Sequence, residues 1–131
     1  MSRVPALLVM HGDLSAALLR AAEQVAGGIE GVETLSNAGL SRDALEAEIA
    51  RRVALWGEGG LVLTDFWGGS CHTCGLSVSR GRGQVAVLTG LNLPMLIDYA
   101  YNRDRCSVFE LAERLQKKGQ DSIRLQLGQP A

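Results

Sequence analysis

The sequence has no excess of positive charge, and this absence narrows the functions that it can have. Thirteen lysines and arginines are matched by fourteen aspartates and glutamates, so the formal net charge is -1. Proteins that bind nucleic acids generally present a basic surface that neutralises phosphates. The basic pairs Arg51-Arg52 and Lys117-Lys118 are too short to form one. We therefore expect no nucleic-acid partner.

Long hydrophobic runs and abundant cysteine are also missing. No apolar run approaches the length of a membrane span, and Met1-Ser2-Arg3 leads straight into a strand-like segment with no signal-peptide pattern. These features predict a cytoplasmic protein that does not insert into a membrane. The three cysteines cannot all pair with one another, and in the cytosol they should be reduced.

The sequence does contain enough apolar residues for a substantial core. Of its 131 residues, 47% are hydrophobic, which argues against disorder. We find no repeat, linker or low-complexity tract, so we expect one domain spanning residues 1–131.

Short apolar runs alternate with segments of helical spacing along the whole chain. The buried runs predict four strands, at Val4–Met10, Gly31–Ser36, Leu61–Thr64 and Gln84–Thr89. Five helices are also predicted. The first begins near Leu14, with Asp13 as cap and Gly27-Gly28 as stop, and the second has Ser41 as cap and an apolar stripe of Leu45, Ile49, Val53 and Trp56. The third runs from Cys71 to Ser79, the fourth has Pro94 in its first turn, and the fifth begins with a Ser107/Glu110 capping box and stops at Gly119.

The last predicted element is a strand, because Ile123, Leu125 and Leu127 alternate with polar residues between Asp121 and Leu127. The predicted fold is therefore a three-layer α/β domain. It has a mostly parallel sheet, helices on both faces and an antiparallel C-terminal edge strand.

Two polar residues follow predicted strands, at the sheet edge where α/β proteins bind their ligands. His11 follows the first strand and precedes a helix, and Asp65 follows the third strand. If these strands are neighbours, the carboxylate can hold a proton on Nδ1 of His11 and leave a lone pair on Nε2 for attack. The position predicts a histidine that handles an anion or carries a phosphoryl group.

A glycine-rich turn follows Asp65 and leads into a helix. Backbone N–H groups at Gly68 and Gly69 and the hydroxyl of Ser70 are suited to bind a phosphate. Taken singly, each of these residues also has an ordinary explanation as a turn or capping residue. Trp67, within the same segment, fits either a core position or a partner-docking surface.

Three segments in order resemble the IIA domain of the mannose/fructose/sorbose family of the phosphoenolpyruvate-dependent sugar phosphotransferase system. Leu8–Gly12, followed by a helix that ends in Ala22–Gly27, is similar to the family's phosphorylation-site segment. Leu61–Ser70 is similar to its aspartate and Gly-Gly-Ser segment, and Leu88–Leu96 to its fourth strand and turn. The resemblance covers nearly the whole chain.

The resemblance implies a phosphotransferase that works through a transient phosphohistidine. It implies that His11 accepts a phosphoryl group from phospho-HPr and donates it to a IIB domain, that Asp65 orients the ring, and that Gly68, Gly69 and Ser70 lie against the phosphate. It also implies a homodimer in which a C-terminal strand can be exchanged between subunits. We expect no cofactor and no resident metal. The related phosphoryl-transfer subunit of dihydroxyacetone kinase is disfavoured by the Gly-Gly-Ser segment.

The chain departs from the family directly after Ser70. Where the family usually has proline and then asparagine, this sequence has Cys71-His72-Thr73-Cys74. A cysteine near a helix N-terminus can have a lowered pKa, and a Cys-x-x-Cys spacing with a histidine can bind zinc or cycle as a dithiol. One alternative is therefore a metal or redox module of Cys71, His72 and Cys74. Another is a standalone regulatory IIA protein that signals phosphorylation state.

Overall fold

The computed structural model describes residues 3–130, which fold into a central parallel sheet flanked by helices. The strands are β1 (Ala6–Met10), β2 (Val32–Ser36), β3 (Gly60–Thr64) and β4 (Val85–Thr89). The helices are α1 (Leu14–Ala26), α2 (Arg42–Val53), α3 (Ser70–Ser79), α4 (Leu93–Asn102) and α5 (Val108–Asp121). Within the described range, none of the helices has the length and apolarity needed to span a membrane.

The strand order is β2-β1-β3-β4, and every pairing is parallel. β1 and β3 are therefore neighbours, as the predicted contact between His11 and Asp65 requires. Val9 pairs with Thr64, and Thr64 pairs with Thr89, so the carboxyl ends of these strands lie at one edge. The strand order reverses direction between β1 and β3, which is the point where open α/β sheets bind ligands.

The sheet has a hydrophobic core on each face, which confirms the three-layer prediction. All residues of β1 are buried, and they alternate between faces, as strand geometry requires. Leu8 and Met10 pack with α1, α4 and α5, whereas Leu7 and Val9 pack with α2 and α3. Strands covered on both faces read as continuous apolar runs, which is why β1, β3 and β4 were predictable, whereas the edge strand β2 contains the exposed Glu33.

Helix starts also follow the sequence signals. The Ser41 hydroxyl accepts a hydrogen bond from the Ala44 amide, and Ser107 and Glu110 form the reciprocal capping box. Asp13 occupies the capping position of α1, but its side chain makes no capping bond. Trp56 lies beyond the end of α2 and packs against the core from the following turn.

The predicted C-terminal strand is wrong for the chain on its own. Helix α5 continues through Gly119 to Asp121, and residues 123–130 have no regular structure. Gly119 allows close helix packing, since a Cβ there would lie 2.5 Å from Met95 Sδ. Ile123, Leu125 and Leu127 are 81%, 87% and 70% exposed, so their alternating pattern is not matched to a neighbouring strand.

Candidate functional site

The strand ends bring His11 and Asp65 together. Oδ2 of Asp65 accepts hydrogen bonds from the His11 backbone amide at 3.0 Å and from Nδ1 of its ring at 2.8 Å. The carboxylate is largely buried, with 9% of the side chain exposed, whereas 37% of the His11 side chain is exposed. This pairing fixes the orientation of the imidazole, while the ring remains accessible from solvent.

The carboxylate also selects the tautomer of His11. Burial on its own raises the pKa of Asp65, but the hydrogen bonds from the His11 amide and ring outweigh it and leave that pKa below its usual value. An ionised Asp65 accepts the Nδ1 proton, so the lone pair of the neutral ring is on Nε2. Nε2 is therefore the nitrogen whose lone pair is available for attack.

The start of helix α3 lies beside this nitrogen. Ser70 is the first residue of α3, and its Oγ is 3.4 Å from His11 Nε2. Gly69 occupies the capping position but supplies no side-chain bond to the helix. Unpaired N–H groups and the helix dipole make such an N-terminus favourable for an anion.

Glycine is needed at the two positions of this turn for different structural reasons. Gly68 has a φ of +86°, a conformation that favours glycine. Its amide donates to Nδ1 of His72 at 3.0 Å. Gly69 is in close contact with the Phe66 ring, where a Cβ would lie 2.6 Å from the nearest ring carbon. Phosphate binding by Gly68, Gly69 and Ser70 stays a prediction, and the Gly68 amide already has a partner.

Two aromatic rings flank the site, and the sequence did not indicate a role for one of them, Phe66. Phe66 stacks on the His11 ring, with centroids 5.1 Å apart and an interplanar angle of 29°. Trp67 is 77% exposed and packs on His72 at 4.5 Å, which excludes the core alternative for this residue. The adjacency of Phe66 to Asp65 in sequence was the available signal for its position at the site.

Cys71, His72 and Cys74 do not form a common site. Cys71 Sγ lies 3.8 Å from Nδ1 of His11, whereas the Cys74 thiol donates to the carbonyl oxygen of Arg42 at 3.7 Å. His72 is nearly buried and accepts from the Gly68 amide. The sequence spacing brought these residues into one helix turn, but their donor atoms point to three different neighbours.

Cys71 does not have the lowered pKa that a position near a helix N-terminus allows. Burial, together with the nearby Asp65 carboxylate, raises the pKa of this thiol to about 11. Burial raises the pKa of Cys74 as well. Desolvation outweighs the favourable position of Cys71 in the first turn of α3, so these cysteines are protonated at neutral pH and are poor candidates for a redox pair.

Comparisons with known proteins agree with the geometry. Component EIIA of the phosphotransferase system from Streptococcus agalactiae is 27% identical, with a TM-score of 0.86 over 92% of this chain and 95% of that chain. The PTS IIA protein associated with the fucose utilization operon from Streptococcus pneumoniae is 25% identical, with a TM-score of 0.82 over 95% and 96%. The mannose/sorbose-specific IIA subunit from Enterococcus faecalis, at 24% identity and a TM-score of 0.84 over 99% and 100%, shares the fold. No curated protein sequence matches the chain.

A sequence model of one family matches most of the chain. The family is described as the PTS system fructose IIA component, and the match covers residues 6–116. This range extends from β1 into α5 and includes His11, Asp65 and the Gly-Gly-Ser turn. The chain therefore belongs to the PTS system fructose IIA component family, the mannose-type IIA proteins that its motifs resemble.

Proposed function

We propose that this protein is a cytoplasmic phosphocarrier that accepts a phosphoryl group from phospho-HPr on His11 and passes it to a IIB domain. The observation that carries the proposal is the His11–Asp65 pair, with Nδ1 bonded to the carboxylate and Nε2 directed toward the start of α3. Family membership supports the general role in the phosphotransferase system.

In the accepting step, the Nε2 lone pair of His11 attacks the phosphorus of phospho-HPr in line with the departing nitrogen. The new N–P bond forms as the old one breaks, and the departing electron pair returns to the donor imidazole. The phosphorylated His11 ring retains the Nδ1 proton and gains positive character, which the Asp65 carboxylate stabilises at 2.8 Å. The same geometry serves the reverse attack by the IIB acceptor, since phosphoryl transfer depends mainly on positioning and electrostatics.

The phosphoryl oxygens need donors, and the turn before α3 supplies them. The Ser70 hydroxyl is nearest to Nε2, at 3.4 Å. Free N–H groups in the first turn of α3 add a favourable dipole. We assign Gly69 and Ser70 as the principal phosphate contacts, and Gly68 as the residue whose conformation shapes the turn.

Exposed aromatic groups beside the site supply a surface for the partner proteins. Phe66 is 52% exposed and Trp67 is 77% exposed, and both follow directly after Asp65. Aromatic side chains are enriched among residues that dominate protein–protein binding. We assign this pair to contacts with phospho-HPr and the IIB domain.

The open edge of the sheet supports the proposed homodimer. β4 is at the end of the strand order, and a groove of about 620 Å³ beside it is lined by Val87, Met95 and Ile123 among others. Residues 123–130 present exposed apolar side chains that a second copy can cover. We expect light scattering to report a dimer. The double variant Leu125→Lys, Leu127→Lys should shift the protein toward monomer, because it places two charges where a second copy would cover apolar side chains. A wild-type monomer at all concentrations would contradict this assignment.

Radiolabelled phosphoenolpyruvate, enzyme I and HPr test the phosphocarrier function directly. We expect acid-labile label on the wild type and none on His11→Ala. The chain has one other histidine, so His72→Asn is the matched control and should still be labelled. An unlabelled wild type, or label that maps to His72, would overturn the proposal.

A further inference from the structure

Three metal-binding donors meet on the Nδ1 side of the His11 ring, away from the nitrogen proposed to carry phosphate. Asp65 Oδ2 lies 2.8 Å from Nδ1, and Cys71 Sγ lies 3.8 Å from the same nitrogen. Donor atoms of the three residues all fall within 4.8 Å of one another, and no other such group of three occurs in the part of the chain that the structure describes. The set combines an imidazole, a thiol and a carboxylate.

We propose that His11, Asp65 and Cys71 form a binding site for a thiophilic divalent cation, for which zinc is the best fit. Usual zinc–ligand distances place the sulfur and nitrogen of a tetrahedral site about 3.5 Å apart, close to the observed 3.8 Å. The carboxylate has to withdraw from 2.8 Å to about 3.3 Å from the ring nitrogen when the ion enters. The site has three protein ligands and an open fourth position for water.

The donor set also decides which metals are disfavoured. Magnesium and calcium prefer oxygen ligands, whereas a thiolate and an imidazole favour zinc and its neighbours in the first transition row. The ring of His11 is 37% exposed, so an ion can approach it from solvent. Cys71 is fully buried, so it joins the ion from inside the protein.

Binding redistributes two protons. The Cys71 thiol loses its proton to solvent, because a coordinating sulfur is deprotonated. The proton on Nδ1 of His11 leaves that nitrogen, and Nε2 takes one up, since the metal occupies Nδ1 and the ring stays neutral. With Asp65 already ionised, one proton is released for each ion bound.

The proton shift has a consequence that rests on the proposed function. A protonated Nε2 has no lone pair and cannot attack a phosphorus atom. Bound metal therefore excludes the attack by which His11 accepts a phosphoryl group. The sequence suggested a metal module of Cys71, His72 and Cys74, but the structure replaces two of those ligands with the phosphocarrier pair itself.

Cobalt(II) is the direct probe of the proposed site, because a cobalt–thiolate bond gives an intense charge-transfer band. We expect the band in the wild type and in the matched variant Cys74→Ala, and we expect its loss in Cys71→Ala. Zinc that competes with cobalt should bind Cys71→Ala more weakly by at least roughly tenfold, the cost of losing even an outer-shell partner. Absence of the band in the wild type, or its retention in Cys71→Ala, would overturn the site.

A second measurement needs no variant. In nitrogen NMR of the wild type, zinc should convert His11 from the Nδ1–H to the Nε2–H form, while the signals of His72 serve as the internal reference. An unchanged His11 tautomer at saturating zinc contradicts the proposal.

Purified phospho-HPr, with enzyme I and phosphoenolpyruvate removed, then tests the exclusion. Zinc should block transfer to the wild type, and Cys71→Ala should need at least roughly tenfold more zinc for the same block, each rate being compared with that variant's own metal-free rate. If cobalt binds and transfer is unaffected, the exclusion is wrong. If cobalt binds and no transfer occurs even without metal, the phosphocarrier function fails while the metal site stands.

Discussion

Both histidines of this chain contact the segment that joins β3 to α3, but their surroundings suit them to different roles. The His11 ring is partly exposed, bonded to a carboxylate through one nitrogen and directed toward a helix start through the other. The His72 ring is nearly buried, and its Nδ1 accepts the Gly68 amide beneath Trp67. An acceptor for Nδ1–H leaves the lone pair of the ring on Nε2, as a nucleophile requires, whereas a donor to Nδ1 uses that lone pair for a hydrogen bond within the fold.

The largest expected effect comes from removing the charge beside His11. Asp65→Asn keeps an oxygen near Nδ1 but no longer stabilises positive charge on the phosphorylated ring. We expect the rate of phosphoryl transfer from phospho-HPr to fall by roughly 10- to 100-fold, the range found when a metal-bound histidine loses its orienting partner. Rapid-quench labelling measures this rate, and a rate equal to that of the wild type would show that His11 works without its carboxylate.

Removing the acceptor at the other histidine should change stability. His72→Leu removes the acceptor of the Gly68 amide, and we expect the free energy of unfolding to drop by about 0.5–1.5 kcal/mol, since Gly68 is exposed and water can take the place of the ring. His72→Asn places an oxygen near the position of Nδ1 and should recover part of the loss. Urea denaturation measures both variants. Equal destabilisation by leucine and asparagine would mean that ring packing against Trp67, and not the hydrogen bond, is what matters.

A smaller effect is expected at Ser70. Ser70→Ala removes the hydroxyl nearest to Nε2, while the backbone amides of α3 remain available to phosphate. The loss of one neutral hydrogen bond predicts a decrease of roughly two- to tenfold in the transfer rate. Ser77→Ala, on the same helix, is the matched control. A decrease as large as that of Asp65→Asn would show that the hydroxyl dominates phosphate binding.

The smallest effect is a change of stability with pH. The pKa of Asp65 is lowered in the folded state, so its contribution is present above the pKa of the unfolded chain and is lost as pH falls through the folded value. The melting temperature of the wild type should exceed that of Asp65→Asn at pH 6, and the gap should shrink below about pH 4. A gap that is independent of pH would exclude an ionic role for this carboxylate.

The sequence predicted the framework of the site better than its details. Continuous apolar runs identified β1 and β3, and because these parallel strands prove to be neighbours, their ends bring His11 and Asp65 together. The direction of side chains in the first turn of α3 was not predictable from spacing. Cys71 was therefore grouped with Cys74 instead of with His11, and a lowered pKa was one alternative for a thiol whose pKa burial raises.

The C-terminal end of the chain was misread for a related reason. An alternating apolar pattern indicates which side chains are buried in the functional state, but it does not indicate whether the same chain or a second copy packs against them. Gly119 was read as a helix stop, although it is the point where α5 passes closely over Met95. Glycine is the sequence signal both for a turn and for a close helix contact, so only the packing distinguishes the two.

Asp65 has one property that reaches beyond the chemistry of the imidazole. The oxygen that holds the His11 ring also accepts the backbone amide of residue 11, at 3.0 Å. Any amino acid with a backbone N–H at that position keeps this link between the ends of two central strands. Replacement of the histidine should therefore remove the proposed phosphoryl transfer and leave this backbone link in place. We expect a relative with another residue at position 11 to keep the fold while it no longer accepts phosphate.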